Sequence, residues 1–566
     1  MIQDLASTVN WYDTVRAITS RLVSIRSVSP SPDEDNVTRE VARILSEDGL
    51  ASSYTEIGLD SLTSDPYHRH NAYAYLPGAT NRTVVLLGHI DTVATADYGV
   101  LEPYALETDE LSARRVQLQD ITPGLEEALG AQPEDWMFGR GTIDMKAGVA
   151  ANIAVMRALA ALPREQRPLS AVLLATPDEE NESAGVLQAV RFLTALRQRH
   201  GLEYVGAINT DYTTARFAGD TQRYIYTGTI GKLLVSYFVV GREGHAGDPF
   251  QGLDVNALVA ELVRDLSMNT DLCERVGDRS TPPPVTLHAA DLKTHYDVQL
   301  PFTAYFHLNV LTFKKGPGEA LAELRRRAED AVGRVLDRVA RAEREWRAAQ
   351  GMGTAATANY SPEHAVITYA DLIAAVRSRM GPDELQAALD VEWRRWPADM
   401  DKRERALHVV ERLWTLSGRS GPAVALYFSP PYYPHVGAKP CALHDAVRKL
   451  VERHPELELT TEEYYPYLSD MSYLRLDADI DTDALVANMP IWVDQADSAR
   501  EGGYGLPLDD IRSLDAPIVN LGPYGGGAHQ RGERLLMSYS FDTLPRLICE
   551  VISLLGTAAD AAPQSA

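Results

Sequence analysis

Several short stretches of this chain carry residue types that could hold a divalent metal ion, and most of them follow an apolar run. His89 and Asp91 come after TVVLLG, Glu179 and Glu180 after SAVLLATPD, Asp211 after VGAINT, and His529 after IVNLG and the glycine-rich PYGGGA. A further carboxylate, Asp144, sits in GRGTIDMKAG, where glycines allow close backbone approach. Imidazoles and carboxylates with no cysteine among them suit Zn²⁺, or a similar ion such as Mn²⁺ or Co²⁺. Such ions acidify water and polarise the bond it attacks, so the chemistry on offer is hydrolysis. Taken singly, each residue has an ordinary use. A histidine after a strand is usually a loop or core residue, and Asp91 or Asp144 could cap a helix. Glu179 and Glu180 could be solvated acids at a helix start, and Asp211 a turn residue. Independent caps and turns, however, have no reason to fall at one edge of one sheet.

That edge follows from the elements the sequence predicts. TVVLLG (83–88), SAVLLAT (170–176), VGAIN (205–209) and APIVNLG (516–522) are short continuous apolar runs, the expected look of strands buried on both faces of a parallel sheet. Helical spacing over 12–27 and 33–49, and helical segments at Met145 to Leu162 and Val186 to Arg199, supply the covering layers. In such sheets ligands bind beyond the carboxyl ends of the strands, where the candidate residues lie. Between about 227 and 429 the texture changes. TGTIGKLLVSYFVVG, an amphipathic helix (Leu253 to Met268), TAYFHLNVL and a long charged helix from Glu319 to about Arg347 suit an inserted α+β domain, with further helical sequence at 350–420. The expected division is 1–226 and 430–566 for an α/β catalytic domain, and 227–429 for the insertion. The closing GTAADAAPQSA reads as a disordered tail.

The strings GHIDTV, GRGTIDMKAG, TPDEENESAG, REGHAGDP, LSDMSYL and GGGAHQRGE, in that order, resemble the successive signatures of the two-zinc aminoacylase, carboxypeptidase and desuccinylase family of metallohydrolases. With YFSPPYYPHV (427–436) and TEEYYPYLSDMSYL (461–474), the whole-chain pattern looks most like the family's arginine-utilisation RocB-type branch. The resemblance implies a zinc-peptidase-like sheet domain with an inserted lid. It implies that His89, Asp144 and Asp211 hold one metal and Asp144, Glu180 and His529 the other, with Asp144 bridging. It makes Asp91 the partner of the His89 imidazole, Glu179 the general base toward a metal-bound water, and His245 a donor to the oxyanion, often across a dimer interface. The substrates implied are N-acyl amino acids, small peptides or amino-acid-derived amides. One departure stands out. Many members carry a strand arginine that clamps a substrate carboxylate, and in VQLPFTAYFHLNVL (298–311) His307 and Asn309 stand where that arginine is sought.

Composition narrows the field. Asp plus Glu outnumber Lys plus Arg by 79 to 54, a net charge of −25 that disfavours nucleic acid and anionic membrane as partners. Three scattered cysteines, Cys273, Cys441 and Cys549, offer neither a disulfide framework nor a thiolate site, and no signal pattern or long apolar run is evident, so a cytoplasmic protein is expected. The competing readings are a fold-retaining binding protein, which would be expected to lack a ligand or the base, and a two-metal phosphoesterase, which lacks basic residues near the motifs beyond Arg140 and Lys146.

Overall fold

A computed structural model describes residues 9–47, 49–130, 132–352, 365–397, 400–494 and 502–557. The expected disordered tail falls, from residue 558 on, outside the described residues. Two compact units emerge: Met1–Ile230, Val436–Asp477 and Pro507–Ala566 form the first, Gly231–His435 and Ala478–Leu506 the second. Among the described residues no helix is long and apolar enough to cross a membrane.

The first unit is built on an eight-stranded sheet. Its centre is parallel: the strands Ser170–Thr176, Arg82–His89, Glu203–Asn209 and Ile518–Asn520 lie side by side in that order. Val84, Val85, Leu86 and Leu87 are all fully buried, which is why this stretch reads as a continuous apolar run and not as an alternation. Two strands that the sequence reading did not single out, Glu56–Ser61 and His70–Leu76, extend one side as antiparallel neighbours. The helix Ala147–Ala160 is apolar on nearly all faces and correspondingly buried. Against it packs the helix Trp11–Val23, which seals Trp11, Val15, Ile18 and Leu22 from solvent. Mean burial of this kind contributes roughly 25 cal/mol per Å² of apolar surface, so the sheet and its covering helices form the rigid platform for the strand ends.

The second unit holds a five-stranded sheet in the order Val285–Asp291, Thr303–Thr312, Gly231–Val240, Ala423–Tyr433, Val366–Thr368, antiparallel except for the last pair. The long charged helix spans Pro317–Ala349 and packs on Val255–Leu266. The expected helical sequence after 350 forms Tyr369–Arg377, Pro382–Trp393 and Lys402–Ser417. Ala478–Leu506, which sequence alone left with the α/β part, belongs to this unit. Its short helix Thr482–Ala487 lies against Pro317–Ala349, and the Asn488 carbonyl accepts from the Phe428 amide at 2.8 Å. No change of composition marks that excursion, so nothing in the sequence signalled it.

His307 sits inside this second sheet. Its side chain is 8% exposed, and its Nδ1 lies 2.7 Å from the Ser236 hydroxyl, itself 2.7 Å from that of Ser429. It is therefore already committed to a partner, which removes it as the stand-in for a substrate-clamping arginine. Burial, aided by His288 and Arg403 against the opposing Asp401, pushes its pKa down to about 4. The folded protein thus leaves this imidazole neutral where an unfolded chain protonates it near pH 6.5. Between those values the unfolded state binds more protons, and stability falls as pH falls. The expected loss from this one group is about 3 kcal/mol at pH 4 relative to neutral pH. Melting curves of wild type and His307→Gln from pH 7.5 to 4.5 test it: the variant is expected to lose less of its Tm on acidification, and equal slopes would dismiss the effect.

Candidate active site

The parallel strands deliver their side chains at their carboxyl ends. His89 is the last residue of Arg82–His89, Glu179 and Glu180 follow Ser170–Thr176 by three and four residues, and Asp211 stands two beyond Glu203–Asn209. Asp144 and His529 arrive differently. A small three-stranded sheet pairs Arg534–Leu536 with both Trp136–Phe138 and Gly525–Gly526, with Arg534 opposite Phe138 and Gly526. That sheet ties the turn bearing Asp144 to the loop bearing His529. Two glycines permit the closeness. A side chain at Gly148 would stand 2.0 Å from the Thr210 carbonyl, and one at Gly522 would stand 1.8 Å from that of Asp211.

The result is a compact constellation. His89 Nε2 lies 3.0 Å from Asp144 Oδ1, and His529 Nε2 lies 3.2 Å from Asp144 Oδ2 and 3.0 Å from Glu180 Oε1. In this constellation His89, Asp144 and Asp211, and likewise Asp144, Glu180 and His529, have donor atoms all within 4.8 Å of one another. Glu179 Oε2 stands 3.9 Å from His89 Nε2. Asp91 accepts the backbone amides of Glu179 and Glu180 through its two oxygens, at 3.2 and 3.0 Å. The His89 Nδ1 is nearer to the Asp91 carbonyl, at 3.2 Å, than to its carboxylate, at 3.5 Å. Asp91 therefore fixes the acidic pair as well as the imidazole. His245 lies in the second unit, exposed, with its Nδ1 accepting from the Gly247 amide at 2.9 Å.

The charge balance here is unusual. Burial pushes Asp211 up to about 8, with Asp144 adding to the effect, and Asp470 up to about 7. Burial also drives Glu179 far above the usual carboxylate range, reinforced by Asp470, Glu180 and Asp211. Hydrogen bonds to Asp144 and Glu180 lift His529 to about 10. So many buried acids facing only two imidazoles make a donor set suited to positive charge, and two divalent cations fit it in number, ligand type and spacing. The nearby basic residues are engaged elsewhere. Arg140 binds Glu533 and Asp97, and the Lys146 ammonium donates to the Leu22 and Ile25 carbonyls. Neither is placed to hold a phosphate.

Sequence reasoning missed several residues around this centre. Glu533 accepts from Arg140 at 2.7 Å and receives the amides of Ile143 and Asp144 at 3.3 and 3.4 Å, bracing the Asp144 turn. Its position four residues after His529 was the only hint. Asp470, inside the quoted LSDMSYL, accepts from the Thr176 hydroxyl at 2.9 Å. The later of the two tyrosine-rich segments adjoins these residues. Tyr467 stacks on Tyr212 at 5.1 Å, and the Tyr465 hydroxyl donates to the Tyr212 carbonyl at 3.1 Å, beside Asp211. Tyr427 and Tyr432 are buried within the second unit.

The sequence pattern of Peptidase family M20/M25/M40 matches residues 119–482. The chain belongs to that family. YqjN of Bacillus subtilis (strain 168) is 32% identical over 565 residues, covering 98% of this chain and 99% of that one. Protein RocB of the same organism is 29% identical over 563 residues, with 96% and 95% covered, which places this M20 protein in the RocB-type branch. Human carnosine dipeptidase 1 shares the fold, with a TM-score of 0.50 at 11% identity over 98% of this chain and 99% of that one. The M20 protein is a metal-dependent hydrolase of amide or peptide C–N bonds. Its fold class is the one expected, an α/β sheet domain with helices on both sides and an additional α+β unit.

Proposed function

We propose that this M20 protein cleaves the amide bond of an N-acyl amino acid, a small peptide or an amino-acid-derived amide with two zinc ions per chain. His89, Asp144 and Asp211 would hold one ion, and Asp144, Glu180 and His529 the other. The observation that carries this reading is the posture of Asp144: one oxygen faces His89 and the other faces His529, as a carboxylate shared by two cations must. When bound, the ions supply an acidified water and polarisation of the scissile carbonyl. The remaining work falls to side chains. Glu179, held by Asp91 through its backbone amide and with its Oε2 3.9 Å from His89 Nε2, takes the proton of the attacking water and returns it to the departing amine. Asp91 keeps the pair oriented. His245 retains the role implied by the family signature, donating to the oxyanion. We place the enzyme in the cytoplasm as a homodimer joined through the inserted domain.

Elemental analysis of zinc-supplemented protein, followed by assays on N-acyl amino acids, dipeptides and carboxyl-blocked amides, tests the reading. Close to two divalent ions per chain and activity lost on chelation are expected; protein without stoichiometric metal would sink it. The strand Thr303–Thr312 contains no arginine, and His307 is packed away, so an obligatory clamp on a free carboxylate has no residue there. Carboxyl-blocked substrates are therefore expected to turn over within about tenfold of the free acids at constant acyl group and side chain, a gap of about 1.4 kcal/mol. A free-acid preference well beyond a hundredfold would show that another cation serves as clamp.

A further inference from the structure

We propose that Arg69, together with Glu34, is a positioning residue for hydrolysis: acting through Asp178, it sets the orientation of the adjacent Glu179 and Glu180. The inference rests on the assignment of those two glutamates as base and metal ligand. Neither Arg69 nor Glu34 belongs to any of the motifs that point to the site. Glu34 opens the helix Glu34–Ser46, and Arg69 immediately precedes the strand His70–Leu76.

Arg69 is 3% exposed and is bound by carboxylates on three sides. Its Nη2 lies 2.8 Å from Asp65 Oδ1, and its Nη1 lies 2.8 Å from Glu34 Oε1 and 2.7 Å from Asp178 Oδ1. The other Glu34 oxygen accepts the Asp178 backbone amide at 2.8 Å. One cation and one carboxylate thus grip Asp178 by side chain and main chain at once. Asp178 needs that grip. Its φ is +73°, in the left-handed region that costs a residue with a side chain more than glycine and that an aspartate enters with the help of local hydrogen bonds. Its Oδ2 accepts from the Ala184 amide at 3.1 Å, and its carbonyl accepts from the amides of Asn181, Glu182 and Ser183. The next two amides, of Glu179 and Glu180, point to Asp91. The acidic pair is therefore clamped from both ends, by Asp91 on the metal side and by Arg69 and Glu34 behind. A buried ion cluster is a poor way to gain stability alone, because well-packed apolar side chains serve folding as well or better. Its value here is geometric, since small misplacements of a reacting group have large effects on rate.

The test is Arg69→Met in metal-loaded enzyme, with Glu179→Gln as control. We expect kcat per loaded chain to fall by about 10- to 100-fold, KM to stay within about threefold, and the amides of Glu179 and Glu180 to exchange hydrogen faster even in metal-free protein. Arg69→Lys, which keeps the charge but not the fork, is expected to recover part of the loss. Unchanged kcat per loaded chain with unchanged exchange overturns the proposal, as does a fall in thermal stability alone. Should Arg69→Met not fold, Asp65→Asn at the outer edge of the cluster replaces it; about a three- to tenfold loss of kcat is expected there, and none overturns the proposal. If Glu179→Gln itself remains active, the assignment of the base has failed, which is a different result.

Discussion

Glu179→Gln is expected to lower turnover by about two to four orders of magnitude while leaving metal content near wild type. The amide keeps the size and the backbone hydrogen bond to Asp91, and removes only the capacity to take a proton. Glu180→Gln is expected to behave in the opposite sense, losing metal first and activity as a consequence, because its carboxylate sits 3.0 Å from the His529 imidazole within one ligand group. The two positions are neighbours in sequence and both almost fully buried as side chains, so size, burial and local backbone are matched between the variants. Metal analysis beside kcat separates them. If both variants lost metal equally, the division of labour within the pair would be wrong.

The second large effect belongs to Asp144. It is the one residue common to both ligand groups, and Asp144→Ala is expected to remove both ions and reduce activity to background. His89→Ala or His529→Ala, each touching one group, is expected to leave about one ion per chain under the same loading. Titration with zinc, read by elemental analysis after dialysis, gives the counts. Retention of one tightly held ion in Asp144→Ala would show that the groups are independent sites rather than one shared centre. Folding is a separate readout: Asp144 is buried, and far-ultraviolet circular dichroism of the variant must match wild type for the count to be interpreted.

Much of this centre is legible in the sequence because most of its candidate ligands follow apolar strands. His89, Asp211 and the Glu179–Glu180 pair stand from zero to four residues past the ends of apolar strands, so the topology of a parallel sheet suffices to bring them to one edge. The closeness of Asp144 to His529 is another matter. It depends on strands of two and three residues, too short to leave an alternation that sequence reading could detect, and on hydrogen bonds spanning most of the chain. Glu34 and Arg69 were invisible for a physical reason as well. A charged residue at a helix start or strand start is nearly always solvated, and nothing local distinguishes one buried against a distant carboxylate. That His307 is packed against Ser236 inside the second sheet was not legible, because a strand pattern does not say what each face packs against. Ala478–Leu506 escaped notice because no change of composition sets it apart from the flanking α/β segments.

The pairing of Arg534–Leu536 with Trp136–Phe138 also bears on how the enzyme is made. His529 and Glu180 are 349 residues apart in the chain. At about 5 to 20 residues per second, a ribosome needs roughly 20 to 70 s to pass from one to the other. During that interval the nascent protein has the proposed base and most of the proposed ligands but no second imidazole, and the strand Ile518–Asn520 has yet to take its place beside Glu203–Asn209. Products of termination before His529 would share that deficit, so under the proposed assignment hydrolytic competence is expected only once His529 has been made.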